Sequence, residues 1–246
     1  MTTKIPRVLV TGAGGAIGGA VAARLAAAGA EIIGTDRIAA PRAGAFKSWI
    51  TADITTRAGR SEIVDAISMP LDGIVHAAGI VSARQPADVD EDEWDRVFAI
   101  NVKAPFFLSV ALADRLANGA SVVVIGSIAS FRGTPDAPVY AASKAALRNV
   151  AATLALTWAA RNIRVNCLAP GLVDTPMTDA MNDVLAARRD AAPDIVMANR
   201  VAQIPLQRAA TPDDVAGMVA FLLSPDAAYV TGATLVGAGG LLAGAV

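Results

Sequence analysis

Ser127, Tyr140 and Lys144 are the residues of this chain whose types and spacing could do chemistry. Tyr140 lies thirteen residues after Ser127, and Lys144 follows four residues later. Four residues along a helix put two side chains on one face. A free phenol titrates at about 10, so Tyr140 alone is a poor base at neutral pH. A nearby cation favours the phenolate and lowers that value. Ser127 would hold the oxygen of a reacting group. Such a centre suits proton transfer at an oxygen, the step that accompanies hydride movement to or from a carbinol carbon. Asn101, after Phe98-Ala99-Ile100, is expected to fix a water that relays protons to Lys144. A Tyr-x-x-x-Lys pair alone is an ordinary amphipathic pattern, so its weight depends on the rest of the chain.

A second segment supplies that weight. Thr11-Gly12-Ala13-Gly14-Gly15-Ala16-Ile17-Gly18 directly follows the apolar run Val8-Leu9-Val10. Glycines between a strand and a helix let backbone N–H groups approach a pyrophosphate, and the helix N-terminus adds partial positive charge. Gly12, Gly14, Gly15 and Gly18 do not fit G-x-G-x-x-G. They fit T-G-x-x-x-[GA]-x-G, with Ala16 in the variable place, and also T-G-x-x-G-x-x-G. Asp36 ends the next apolar run, eighteen residues past Gly18. An acid at this offset accepts hydrogen bonds from ribose hydroxyls and repels a 2′-phosphate, which favours NAD over NADP. Arg37 is expected over the adenine ring. Asp53 is a candidate for the adenine amino group, with a plain turn carboxylate as the alternative.

These residues need a scaffold. Short β-branched runs near Val8–Val10, Glu31–Thr35, Ser48–Thr51, Gly73–His76, Ser121–Ile125, Arg164–Leu168 and Thr234–Val236 read as strands. Helical patterns cover Ala16–Ala28, Arg57–Ile67, Glu91–Leu116, Val139–Ala160 and Pro212–Leu223, with a break expected at Pro105. Strands without polar alternation, separated by helices, imply a doubly wound α/β fold: one parallel sheet covered on both faces. No boundary divides residues 1–246, so one domain is expected. Residues 171–210 carry no clear strand and read as a substrate loop or lid with a short helix around Ala180–Arg189.

Composition removes other classes. Apolar residues make up 54% of the 246 and charged residues 17%, enough for a large core. The net charge of −1 and the lack of a basic cluster leave no footprint for nucleic acid or an anionic membrane. One cysteine, Cys167, and one histidine, His76, exclude a disulfide within the chain and a Cys or multi-histidine metal site, so no metal is expected. Cys167 reads as a buried strand residue. Residues 1–6 lack an apolar leader, and a cytoplasmic protein is expected.

Taken together, Thr11–Gly18, Asn101, Ser127, Tyr140-Ala141-Ala142-Ser143-Lys144, Pro170-Gly171 and Tyr229-Val230-Thr231-Gly232 resemble the short-chain dehydrogenase/reductase family in its compact form, across essentially the whole chain. The resemblance implies a Rossmann-type sheet, NAD(P)-dependent hydride transfer and a catalytic set of Asn101, Ser127, Tyr140 and Lys144. It extends the cofactor contacts from Gly12, Gly14, Gly15, Ala16, Ile17, Gly18, Asp36, Arg37 and Asp53 to Ile54, Ala77, Ala78 and Gly79. Tyr140, Lys144, Pro170, Gly171, Val173 and Thr175 complete that set. It also implies a homotetramer, or a homodimer, through the Glu91–Leu116 and Val139–Ala160 helices. Two departures stand out. Ala77 replaces the family's usual Asn, removing a hydrogen bond that braces the sheet, and Ala238 replaces its usual Asp before Gly239-Gly240. Gly15 and His76-Ala77-Ala78 also resemble the extended, sugar-nucleotide-modifying branch, whose added C-terminal domain this chain lacks.

The pocket should be bordered by Ile80, Val81, Ile128, Phe131, Leu172, Val173 and Met177. Its apolar character suggests a small secondary alcohol or ketone. Arg84 and Arg132 are candidates to clamp a carboxylate, with solvated loop arginines as the plainer reading. His76 either touches the adenosine half or is a satisfied strand-end histidine. The leading reading is an NAD-dependent secondary-alcohol dehydrogenase. The alternatives are a 3-oxoacyl thioester (acyl carrier protein) reductase and a catalytically silent dinucleotide-binding regulator.

Overall fold

The protein is described here from a computed structural model over residues 6–41 and 45–243. The leader reading falls mainly on residues 1–5, outside the described set. Among the described residues there are seven strands, with helices between all neighbours in the chain but β2 and β3: β1 (Arg7–Thr11), β2 (Glu31–Asp36), β3 (Ser48–Thr51), β4 (Leu71–His76), β5 (Leu116–Ile125), β6 (Arg164–Pro170) and β7 (Thr234–Gly237). They form one sheet in the order β3-β2-β1-β4-β5-β6-β7, and every pairing is parallel. The order reverses between β1 and β4. That reversal opens a crevice at the carboxyl ends of the strands, where Thr11 pairs with His76.

The strands alternate between two cores. Leu9, Ile74, Val122 and Val124 pack with Leu108, Leu112, Leu147 and Leu154 on one face. Val8, Val10, Val75 and Val123 pack with Val21, Leu25, Val215, Val219 and Leu222 on the other. The first face is covered by α2 (Arg57–Ala66), α4 (Ala104–Ala111) and α5 (Pro138–Trp158), the second by α1 (Ala16–Ala27) and α8 (Pro212–Leu223). This is the doubly wound arrangement expected from the unalternating apolar runs. Cys167 is buried within β6, as expected. Among the described residues no helix is long and apolar enough to cross a membrane.

Two expectations need correction. The stretch read as helical over 91–116 is α3 (Glu91–Phe98), a π-helical turn over Ala99–Lys103, α4 and a 3-10 turn over Ala113–Arg115; Leu116 already belongs to β5. Pro105 has no N–H, and its ring crowds the carbonyl four residues earlier, which is that of Asn101. The widened turn therefore forms ahead of the proline, and the Ala104 N–H bonds the Ala99 carbonyl. Residues 171–210 hold two helices rather than one, α6 (Pro176–Arg189) and α7 (Pro193–Val201). Each starts with proline at its first position, where a missing N–H costs nothing. Thr175 caps the first through Thr178 N.

Candidate active site

The glycine loop lies at the reversal point. Gly12 has φ of +66°, and a Cβ there would stand 2.5 Å from the Ala78 backbone nitrogen. A Cβ on Gly18 would collide with the Gly12 carbonyl oxygen. Both positions therefore require glycine, and Gly12 is pressed against Ala77-Ala78 at the end of β4. The loop opens directly into α1, whose N-cap Gly15 makes no side-chain cap and whose first turn holds no acid. Its first N–H groups thus have no side-chain partner, as a pyrophosphate site requires. Asp36 closes the loop from the side: Oδ2 accepts from Gly14 N at 3.1 Å, and Oδ1 accepts from Arg37 N at 2.7 Å. A small-residue cradle, an uncapped helix start and a carboxylate beside them fit a nicotinamide dinucleotide.

Other expected cofactor residues behave less uniformly. Asp53 Oδ1 accepts from Thr55 N and Thr55 Oγ1, so the turn role is realised. Ile54 is buried in the core beside Ile63, which leaves it only its backbone to offer a ligand. Val173 is likewise packed in the second core and bridges to Ala210, away from Tyr140. Thr175 caps α6, and Gly171 N donates to the Gly237 carbonyl at 2.9 Å. Ala77 contributes only backbone, from N–H to the Thr11 carbonyl, and Thr11 Oγ1 is buried without a partner. That orphan hydroxyl is consistent with a bracing bond lost at Ala77.

The four residues read as catalytic converge on one corner. Tyr140 and Lys144 lie on α5, and Lys144 Nζ is 5.6 Å from the Tyr140 ring centroid. Lys144 donates to the Ile125 carbonyl at 2.8 Å, which ties it to the end of β5. Ser127 follows that strand and faces the same cavity as Tyr140. Asn101 sits in the π turn with no exposed surface. Its Oδ1 accepts from Ile80 N at 2.9 Å, and its Nδ2 donates to Ile80 O and to Ser143 Oγ, each at 3.0 Å. A Cβ on Gly79 would stand 3.2 Å from Asn101 Oδ1 and 3.3 Å from Lys144 Nζ. Both groups therefore border the same point beside Gly79.

Electrostatics correct one expectation. Lys144 does not pull the Tyr140 phenol below its ordinary value; burial raises it, and the Ser127 hydroxyl only partly offsets this. Burial acts on Lys144 in the opposite sense and lowers it to about 8. Both shifts disfavour charge, as desolvation does. Burial also raises Cys167 to about 11, despite the neighbouring lysine, which fits a core thiol.

Ser127 and Tyr140 line a cavity of about 200 Å³. Val81, Ile128, Leu172 and Met177 line it as expected; Ile80, Phe131 and Val173 do not. Phe131 instead stacks under the Arg148 guanidinium at 4.3 Å. A larger cavity, about 540 Å³, lies beyond Gly171 and Leu172 toward β7 and α8 and contains neither Ser127 nor Tyr140. Ala238 packs with Ile128 and Leu242 beneath the catalytic cavity, so the departure from the usual acid is absorbed by an apolar contact. Arg84 is not a clamp: it pairs with Asp90 at 2.8 Å and reaches Glu93 at 3.7 Å. Arg132 does line the cavity, and so does Arg200, which sequence reading missed. His76 does not face the adenosine half. Its Nε2 bonds Ser109 Oγ at 2.8 Å inside the core, and burial lowers it to about 4.

Known proteins share this arrangement. Residues 12–242 match a family model described as enoyl-(acyl carrier protein) reductase. A mouse (3R)-3-hydroxyacyl-CoA dehydrogenase is 34% identical, with 95% of each chain covered. A 3-oxoacyl-[acyl-carrier-protein] reductase from Rickettsia felis is 35% identical, again with 95% of each chain covered. Among solved structures, a short-chain dehydrogenase family protein from Francisella tularensis superposes with a TM-score of 0.91 at 30% identity, covering 98% of this chain and 100% of that one. A protein from Beutenbergia cavernae, solved with NADP bound at low occupancy, gives 0.86 at 34% identity, covering 97% of each. With the parallel sheet, the glycine cradle and these relatives together, the chain belongs to the short-chain dehydrogenase/reductase family and is an oxidoreductase acting on CH–OH groups.

Proposed function

We propose that this protein is an NAD-dependent oxidoreductase that interconverts a small secondary alcohol and its ketone, with Tyr140 as general acid and base. The observation that carries the reading is that Ser127 and Tyr140 share one cavity while Lys144 is buried behind the phenol. A bound nicotinamide ring supplies the hydride donor or acceptor. Gly12, Gly14, Gly15, Ala16, Ile17 and Gly18 would hold the pyrophosphate. Asp36 would take the ribose hydroxyls, with Arg37 and Asp53 near the adenine. Backbone at Ile54, Ala78 and Gly79 and the Pro170–Thr175 loop would complete the contacts.

The chain's own residues then handle the proton. Ser127 holds the carbinol oxygen beside the Tyr140 hydroxyl. Tyr140 accepts the carbinol proton during oxidation and returns it during reduction. Lys144 keeps positive charge near the phenolate. A water between Lys144 Nζ and Asn101 Oδ1 passes the proton onward, in the gap beside Gly79. Helix α6 brings Met177, Thr178 and Met181 onto the cavity and α7 brings Arg200, and we read residues 171–210 as the substrate lid. Trp94, Phe107, Val110 and Leu156 are large exposed apolar residues on α3, α4 and α5; they support a homotetramer, or a homodimer, built through those helices.

The names of the mouse and Rickettsia relatives favour one alternative, a reductase or dehydrogenase of 3-oxoacyl thioesters. The deciding experiment is a titration of NADH against NADPH by cofactor fluorescence, followed by turnover of secondary alcohols and of 3-hydroxyacyl thioesters. NADH preference with alcohol turnover supports the reading. NADPH preference with thioester turnover replaces it by the alternative. Tight binding with no turnover leaves a silent dinucleotide-binding protein.

A further inference from the structure

Among the described residues, two arginines and no acid line the catalytic cavity. Arg132 enters from the loop after β5, and Arg200 enters from α7. Arg200 is half-buried, yet no described carboxylate pairs with it. Its hydrogen-bond partner is Asn182, whose buried Oδ1 accepts from Nη1. Asp136 does not serve Arg200 and is already shared between Arg188 at 3.0 Å and Arg189 at 3.1 Å. Burial and the neighbouring Arg189 charge both disfavour the Arg200 cation. A guanidinium removed from water without a counter-ion is costly, and a bound anion relieves that cost. Its planar fork suits a carboxylate, which it can hold through two parallel hydrogen bonds.

Resting on the alcohol–ketone reading above, we propose that the substrate is a small hydroxy acid and its oxo acid, with the carboxylate held by Arg200 and assisted by Arg132. Asn182 holds Arg200 in place from α6, so the anion site joins both lid helices to the body of the protein. The hydroxyl end of the same molecule lies at Ser127 and Tyr140. The cavity volume of about 200 Å³ suits a short acid. Oxidation removes hydride from the carbinol carbon to the nicotinamide and a proton from its oxygen to Tyr140; the carboxylate takes no part and remains charged. An apolar alcohol would leave Arg200 buried and unpaired, so the site discriminates against it.

The test uses hydroxy acids of three to six carbons, each with its methyl ester. Binding to the protein alone is measured by calorimetry at low and high salt, and turnover with NAD is measured in parallel. At least one acid should bind and turn over at least tenfold better than its ester. Arg200→Met should erase that ratio, mainly through a raised KM for the acid. Arg200→Lys should restore part of it. Arg132→Met, at an exposed position, should reduce the ratio less and in a salt-dependent way. Equal handling of acids and esters, no binding by any acid, or a ratio unaltered in Arg200→Met would overturn the proposal. If neutral alcohols are oxidised without charge preference, only the anion site is lost. If nothing in the panel turns over with either cofactor, the dehydrogenase reading falls with it.

Discussion

Asn101 and Ser143 are joined by a hydrogen bond of 3.0 Å, and through it the π turn holds the catalytic helix to the loop after β4. Ser143 also donates to the Tyr140 carbonyl at 2.7 Å, and Asn101 holds Ile80 at both its N–H and its carbonyl. The two residues differ in what they can do. Asn101 Oδ1 borders the gap beside Gly79 that Lys144 Nζ also borders; Ser143 bonds Asn101 from the other side. Asn101→Ala removes three buried hydrogen bonds and should cost about 2–4 kcal/mol of stability in denaturant titration. It should also lower kcat by roughly 10²-fold if the proton relay runs through this gap. Ser143→Ala leaves Asn101 bonded to Ile80 and should cost about 1 kcal/mol with little change in kcat. Gly79→Ala sets a methyl 3.2 Å from Asn101 Oδ1 and 3.3 Å from Lys144 Nζ, so kcat should fall by more than any loss of stability accounts for. Full activity in Gly79→Ala would remove the relay.

The same corner shows what a linear sequence carries. Tyr140 and Lys144 were legible because helix periodicity alone puts them on one face. Asp36 was legible because it ends a strand next to the one feeding the glycine loop, and parallel neighbours align their ends. Pro105 announced a break but not its position, since the steric conflict falls on the carbonyl of Asn101, one turn earlier. Chain position near a site does not say which face a side chain takes: the Ile54 and Val173 side chains both pack into core, and Val173 does not line the cavity. Arg200 was missed for a different reason. Its place in the cavity depends on α6 and α7 folding back over Tyr140, a tertiary event with no local period. The signals for those helices were present in Thr175-Pro176 and Ala192-Pro193, a cap or boundary followed by proline at the first position.

Oxidation should speed up as the pH rises. It needs one proton gone from the Tyr140–Lys144 pair, which leaves the pair neutral overall, as phenol and amine or as phenolate and ammonium. Burial lowers Lys144 to about 8 and raises the phenol above its ordinary value. The first proton of the pair therefore leaves as the pH passes about 8, and kcat for oxidation climbs there while reduction declines. Lys144→Met leaves a lone buried phenol, so the rise should move above 10, beyond the range in which wild type responds. The measurement is a single-turnover pH profile, in which chemistry is not masked by product release. An unmoved profile in Lys144→Met would separate the lysine from the proton step.

His76 makes the fold acid-sensitive. Its Nε2 is bonded to Ser109, its Nδ1 has no partner, and burial lowers its pKa from 6.5 to about 4. Between those values the unfolded chain binds a proton that the folded chain refuses. Stability therefore falls as the pH drops from 6.5 toward 4, by roughly 3 kcal/mol over the window. His76→Gln retains a group that can bond Ser109 but does not titrate there. Chemical denaturation at several pH values should show a flatter acid limb for the variant, whatever its stability at neutral pH. Parallel limbs in the two proteins would assign the acid loss to other groups.

Asp36 tests the choice of cofactor. Its Oδ2 accepts from Gly14 N, which sets a carboxylate against the loop that would take the pyrophosphate, on the side where a ribose would follow. A 2′-phosphate at that ribose meets a negative charge. Arg37, the next residue, is a cation beside it in the chain and is exposed. Asp36→Ala removes the repulsion and leaves Arg37 as a partner for phosphate. The ratio of kcat/KM for NADP over NAD should therefore rise by about 10²-fold, through KM rather than kcat, since the chemistry is remote from this end. Arg37→Ala in the Asp36→Ala background should take back much of that gain, because the phosphate then has no cation beside it. The two substitutions are adjacent, so their coupling is part of the result rather than an error in it. An unchanged NADP/NAD ratio in Asp36→Ala would separate the carboxylate from cofactor choice and leave it only its visible task, holding Gly14.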